Sequence, residues 1–180
     1  MNHQEIQEKL LNNDFLFYYS YQPGFVPKLC ALKLFISQEL DFDLIMNFHE
    51  KNINEFTRIQ ANKSKEEVEN YIKNNRRELY LSSKIPRPIR NELSEILKSS
   101  LELKETYIDN SKNEYTPEAV SHKTSIINHE QGSYSVDLGY GFNKKLMDTI
   151  SEKNFMNLIN LVEHWLEKIS DDLMKYYIEE

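Results

Sequence analysis

Apolar and polar residues alternate along the first part of the chain, and this period of two predicts β-strands. Residues 15–21 are rich in aromatic side chains, an enrichment typical of strands. Residues 28–36 are apolar on nearly both faces, which predicts a strand in the middle of a sheet. A polar turn over 38–41 leads into residues 42–49, which alternate again, so these two strands are predicted to form a hairpin. A weaker strand is predicted over 55–59.

The aromatic run over 15–25 is expected to lie mostly in the core of the protein. If helices cover only one face of the sheet, alternate residues point away from them, so one pair of side chains is expected at the surface. That pair is either Tyr18 with Ser20 or Tyr19 with Tyr21. Exposed aromatic residues are frequent at protein interfaces, so the exposed pair is a candidate for contact with a protein partner.

Apolar residues at intervals of three and four predict helices in the middle and at the end of the chain. Ser64 and Glu67 form a capping box, which predicts a short helix directly after Ser64. A second helix is predicted to begin at Pro88, and its apolar spacing continues to Leu101. The strongest pattern predicts a helix over 149–177, about 40 Å long.

A second hairpin is predicted between the middle and last helices. Its strands cover 122–128 and 133–140, and Gly132 lies in the turn. Weaker predictions are a helix over 3–12, a short strand over 106–108, a surface loop over 109–118 and a helical turn over 116–118. The order of strands, helices, strands and a long helix predicts an α+β fold, with a mainly antiparallel sheet, helices packed on one face and a long C-terminal helix. At 180 residues without a repeat or linker, we expect a single domain over 1–180.

Composition places the chain among folded proteins of a reducing compartment. The 12% aromatic content excludes a disordered chain. The one cysteine, Cys30, lies among apolar residues and can form no intrachain disulfide. Residues 1–12 lack the cationic start and apolar run of a signal peptide, and the longest uncharged stretch, 15–27, is too short and polar to span a bilayer. We expect a cytoplasmic, bacterial protein with no membrane partner.

Motifs for the common reaction centres are missing from the sequence. Four glycines cannot supply a phosphate-binding loop, and the five histidines lack the spacing of metal ligands. Cys30 is predicted to lie buried on a strand, and no serine occupies the context of an activated nucleophile. We therefore assign no catalytic residue, no metal ligand and no cofactor from the sequence.

Charge is unevenly distributed along the chain. Between residues 73 and 90 lie six cations and one acid, so this segment carries +5, and the rest carries −12 of the formal total of −7. One interpretation is an anion site built from the guanidinium groups of Arg76, Arg77, Arg87 and Arg90. The other is that these arginines pair with the protein's own carboxylates. The acidic remainder repels a polyanion, which disfavours nucleic acid as a partner.

The leading functional hypothesis is a non-catalytic, acidic protein that binds another protein. Its most concrete form is an immunity protein or antitoxin that neutralises a basic toxin, because complementary charge accelerates association. The predicted contacts are acids of the first hairpin and the last helix: Asp41, Asp43, Glu163, Glu167, Asp171 and Asp172. The alternative is an enzyme or small-molecule binder that recognises an anionic ligand through the arginine cluster. The oligomeric state stays open.

Overall fold

The computed structural model describes residues 14–22, 29–49, 63–99, 101–104, 106–107, 122–130, 132–139 and 142–178, together with Glu8 and Asn12. The strands are β1 (Phe17–Gln22), β2 (Leu29–Ile36), β3 (Asp41–His49), β4 (Arg76–Lys84), β5 (His122–His129) and β6 (Gly132–Asp137). The helices are α1 (Lys65–Asn75), α2 (Arg87–Lys98) and α3 (Ile150–Ile178), with a 3-10 turn at Lys144–Leu146. The fold is α+β with a long C-terminal helix, as predicted.

The described strands form one antiparallel sheet in the order β4-β3-β2-β1-β5-β6. β1 lies in the interior because Phe17 pairs with Ile36 of β2 on one side and with Ile127 of β5 on the other. Both predicted hairpins are confirmed, β2 with β3 and β5 with β6. Gly132 begins β6 with φ +145°, a backbone conformation that residues other than glycine rarely adopt.

α2 and α3 cover one face of this sheet, which we call the helix face. Alternate strand residues meet the apolar stripes of both helices there and form one buried cluster. From the sheet it includes Phe17, Tyr19, Leu34, Leu44, Ile127 and Val136, and from the helices Ile89, Leu93, Ile96, Phe155, Leu158 and Val162. The rings of Phe42 and Trp165 meet edge to face with their centres 4.8 Å apart. This packing holds α3 across the strands that supply the candidate site.

The opposite face carries a second, smaller buried cluster. It consists of Phe15, Tyr18, Phe35 and Ile45, and the ring centres of Tyr18 and Phe35 are 4.9 Å apart. The expectation that Tyr18 or Tyr19 would be exposed was therefore wrong. Only 7% of Tyr18 and 2% of Tyr19 is exposed, because Tyr18 packs in this cluster while Tyr19 lies under the helices.

β4 is a strand that we did not predict. Leu79 and Leu81 alternate with polar residues, but the charged residues around them hide the period of two. β4 is at the edge of the sheet, where charged side chains are tolerated because they reach water and block pairing with other chains.

The helix predictions agree closely with the structure. The Ser64 side chain accepts from the backbone N–H of Glu67 at 3.3 Å, and the Glu67 carboxylate accepts from the backbone N–H of Ser64 at 2.9 Å, so the capping box is confirmed. Thr106 and Tyr107 are not in a strand. The predictions for 55–59, for 109–118, for most of 3–12 and for the side chain of Cys30 lie outside the described residues.

Candidate binding cleft

The start of α3 is fixed by a buried carboxylate, Glu152. Its Oε2 accepts hydrogen bonds from the backbone N–H groups of Asp148 (2.7 Å) and Thr149 (2.9 Å), and its Oε1 accepts one from the Tyr107 hydroxyl (2.9 Å). The hydroxyl of Thr149 accepts from the Glu152 N–H at 3.1 Å, which completes a capping box. Burial alone would raise the pKa of Glu152, but these donors and the nearby Lys104 lower it to about 2. The anchored start sets the direction in which α3 crosses the sheet.

The second half of α3 and the strands beneath it enclose a cleft of about 200 Å³. Four-residue spacing places Glu163, Glu167 and Asp171 along one side of the helix, where they line this cleft. Its other lining residues are Tyr19, Tyr21, Leu32, Lys123, Leu166 and Ser170. Among the residues that the structure describes, the cleft therefore combines apolar walls with three carboxylates and one ammonium group.

Strand pairing places two tyrosines and a lysine at the floor of the cleft. Tyr21 of β1 pairs directly with Lys123 of β5, and Tyr19 points to the same face two residues earlier. The Tyr19 hydroxyl and the Lys123 ammonium group each donate to Oε1 of Glu163, both at 2.7 Å. Lys123 Nζ also lies 5.5 Å from the centre of the Tyr21 ring, within cation–π range. Burial, followed by the charge of Glu163, raises the pKa of Tyr19, so its hydroxyl stays protonated and acts as a donor.

Ser170 gives the cleft a second kind of polar group. Only 6% of this residue is exposed, yet it lines the cleft. A serine hydroxyl can both donate and accept a hydrogen bond, so in the lining of a cleft it can contact a ligand.

The structure brings together half of the acids that the sequence suggested as partner contacts. Glu163, Glu167 and Asp171 share the cleft, whereas Asp172 is exposed one residue further along and does not line it. Asp41 forms an ion pair with Lys84 at 2.6 Å, and Asp43 accepts a hydrogen bond from the Tyr80 hydroxyl. Asp41 and Asp43 alternate with buried residues of β3 and point to the face opposite α3.

The four arginines are not brought together. Arg76 and Arg77 begin β4, and Arg87 and Arg90 follow its end in the first turn of α2. The strand between them is about 27 Å long at the usual rise per residue. Nε of Arg76 donates to Oδ1 of Asn47 at 2.9 Å, while Arg87 and Arg90 are exposed.

Sequence reasoning missed Tyr19, Tyr21, Lys123 and Ser170 as cleft residues. Tyr19 and Tyr21 were recognised as residues of an aromatic strand, but nothing in the local pattern showed that Lys123 would lie beside them. The register between β1 and β5 decides this, and the paired residues are about a hundred positions apart in the chain. Ser170 could have been found from α3 itself, because it lies seven residues after Glu163, on the same side of the helix.

Comparisons with protein-family models, with curated proteins and with solved structures found no match to this chain. In the part of the chain that the structure describes, no group of three His, Cys, Asp or Glu side chains is placed to hold a metal ion. No helix within those same residues has the length and apolar character needed to cross a membrane.

Proposed function

We propose that the protein binds a basic protein partner through the cleft beside α3. The observation that carries this proposal is the row of carboxylates from Glu163, Glu167 and Asp171, which lines a cleft where Lys123 is the one cation among the described lining residues. A concave surface lined by charge of one sign concentrates the field and attracts partners of the opposite sign. The formal net charge of −7 acts in the same direction over longer distances.

The chemistry of the cleft favours binding over catalysis. Tyr19 donates its hydroxyl proton to Glu163, and its raised pKa keeps it protonated near neutral pH, so it is a weak acid with no phenolate present to act as a base. The Lys123 ammonium group is held by the same carboxylate, so it is not a free amine nucleophile. Both donors are therefore committed to Oε1 of Glu163.

In its most concrete form, the proposal is an immunity protein or antitoxin that neutralises a basic toxin in the cytoplasm of a bacterium. A toxin inhibitor benefits from rapid capture, and complementary charge raises the association rate. The acidic composition supports this form of the proposal, and the single cysteine is in keeping with a reducing compartment.

The test is a selection of random peptides, displayed on phage, against the immobilised protein. We expect the selected peptides to be rich in arginine and lysine and to lose binding when Glu167→Lys and Asp171→Lys are combined. Both residues are exposed on α3, so this variant should fold.

The matched control combines Glu39→Lys with Glu130→Lys, which changes the net charge equally. Both residues are exposed and lie next to strand ends that pair with Phe17, at the end of the sheet away from Tyr21 and Lys123. Selected peptides should bind this control as they bind the unmodified protein. Selection of acidic or neutral peptides, or equal loss in both double variants, would overturn the proposal.

A further inference from the structure

We propose that the cleft receives one arginine side chain of the partner, and that Lys123 occupies the Glu163 carboxylate until that arginine arrives. This inference rests on the proposed function, because it names the group that a basic partner inserts. It is argued from the size of the cleft, its hydrogen-bond acceptors, its apolar walls and the position of Lys123.

The cleft has the size of a side chain rather than of a whole small-molecule ligand. Its volume of about 200 Å³ is below the roughly 300–1,000 Å³ that is usual for sites that enclose a drug-sized molecule. A single long side chain can fill such a space while the rest of a protein partner remains outside it.

The acceptors in the cleft suit a guanidinium group. Glu163 uses Oε1 for both Tyr19 and Lys123, and no hydrogen bond to its Oε2 is found among the described residues. Glu167 follows one turn later, about 6 Å along the helix axis, and Ser170 lies on the same side of α3 and lines the same cleft. Arginine presents five N–H donors in a rigid plane, whereas lysine presents one compact charge, so separated acceptors favour arginine.

The walls of the cleft suit the rest of an arginine side chain. Leu32 and Leu166 offer apolar surface for its aliphatic stem. The Tyr21 ring already has a cation 5.5 Å from its centre, and guanidinium groups stack on aromatic rings more readily than ammonium groups do.

Lys123 is placed to be displaced by an incoming cation. The Lys123 and Glu163 side chains are each 31% exposed, so their ion pair is accessible to solvent. Ion pairs that water reaches contribute little stability, and exchanging one cation for another on Glu163 therefore costs little. Lys123 keeps the carboxylate paired while no partner is bound.

The experiment compares three short peptides that differ at one position, with arginine, lysine or citrulline flanked by glycine and serine. Binding is followed by NMR titration of the isotope-labelled, full-length protein. We expect the arginine peptide to bind about tenfold more tightly than the lysine peptide, because it can form several charge-assisted hydrogen bonds at once. The citrulline peptide, which lacks the charge, should bind at least tenfold more weakly than the arginine peptide.

Ser170→Ala tests the pocket itself. Alanine is a strong helix former, so the variant is expected to fold. It should lower the affinity for the arginine peptide about threefold to tenfold, which is the effect of one lost hydrogen bond, and leave the affinity for the lysine peptide unchanged. Ser94→Ala, at a partly buried serine of α2, is the control and should change neither.

Two different failures are distinguishable. The arginine pocket would be refuted, and the proposed function kept, by the following set of results. The arginine and lysine peptides would bind equally, Ser170→Ala would have no effect, and the double variant Glu167→Lys with Asp171→Lys would lose the binding of both peptides. The arginine pocket and the proposed function would both be refuted if neither cationic peptide shifted the NMR signals of the cleft residues and if the display-selected peptides bound the same double variant as tightly as the unmodified protein.

Discussion

The hydroxyl of Tyr19 donates a 2.7 Å hydrogen bond to Oε1 of Glu163, a residue 144 positions later in the chain. This bond joins an interior strand of the sheet to the middle of the C-terminal helix at the floor of the cleft. It engages Oε1 of Glu163, the same oxygen that accepts from Lys123. The same hydrogen bond therefore contributes to the stability of the fold and to the shape of the cleft.

Tyr19→Phe should remove the bond while preserving the buried ring. We expect a loss of about 1 kcal/mol in the free energy of unfolding, the usual contribution of one hydrogen bond. Tyr21→Phe is the matched control, because no hydrogen bond to the Tyr21 hydroxyl is found within the described residues. Urea unfolding of both variants measures the difference. Equal effects of the two substitutions would show that the Tyr19 hydroxyl does not hold α3 in place.

Glu152→Gln should lower stability and flatten its dependence on pH. The pKa of Glu152 is lowered from 4.5 to about 2 in the folded protein, so its contribution is present above pH 4.5 and is lost as pH falls towards 2. At pH 7 we expect a loss of about 2 kcal/mol, because the glutamine cannot satisfy all of the buried donors.

Urea midpoints measured between pH 2 and pH 7 test this prediction. Glu95→Gln is the control, since Glu95 forms only an exposed ion pair with Lys98 and its loss should cost less than about 1 kcal/mol. If the unmodified protein and Glu152→Gln lose stability in parallel as the pH falls, Glu152 is not the group that titrates.

Ser125→Ala should leave stability unchanged or increase it by about 1 kcal/mol. Ser125 is fully buried between Tyr19 and Val136 on the helix face, and its hydroxyl has no hydrogen-bond partner in the described part of the molecule. Removing an unsatisfied buried hydroxyl relieves a desolvation cost. Ser135→Ala, exposed on the neighbouring strand, should change the unfolding midpoint little. A clear destabilisation of Ser125→Ala alone would contradict this account of the buried hydroxyl.

Lys123→Met should strengthen the binding of basic peptides several-fold. The substitution removes the cation that competes for Glu163 and keeps an apolar chain of similar length. Lys145→Met makes the same change in net charge at an exposed position in the 3-10 turn, outside the cleft, and should have less than about a twofold effect. Isothermal titration with a peptide from the display selection measures both. Weaker binding by Lys123→Met would mean that Lys123 holds the cleft in its binding shape.

Sequence patterns predicted the elements that depend on local periodicity. α3 was recognisable because its apolar residues keep helical spacing, and the same spacing places Glu163, Glu167 and Asp171 on one side of the helix. β4 escaped prediction because only Leu79 and Leu81 mark its buried side among charged residues.

The site depends on relationships that local patterns do not contain. Lys123 reaches Tyr21 and Glu163 only through the pairing of β1 with β5 and the packing of α3 over both. The four arginines are close in sequence, but the extended strand β4 separates Arg76 and Arg77 from Arg87 and Arg90 in space. Closeness in sequence therefore indicates closeness in space for the acids of α3, because a helix brings residues four positions apart to the same side. It does not do so for the arginines, because an extended strand lies between the two pairs.

The most direct test of the central claim is the affinity of a display-selected basic peptide for three forms of the protein. These are the unmodified chain, the double variant Glu167→Lys with Asp171→Lys, and the double variant Glu39→Lys with Glu130→Lys. If the cleft beside α3 is the binding surface, the first double variant should bind at least tenfold more weakly, while the second should stay within about twofold of the unmodified chain. Equal losses in both would show that net charge alone attracts the peptide, and unchanged affinity in both would show that it binds elsewhere.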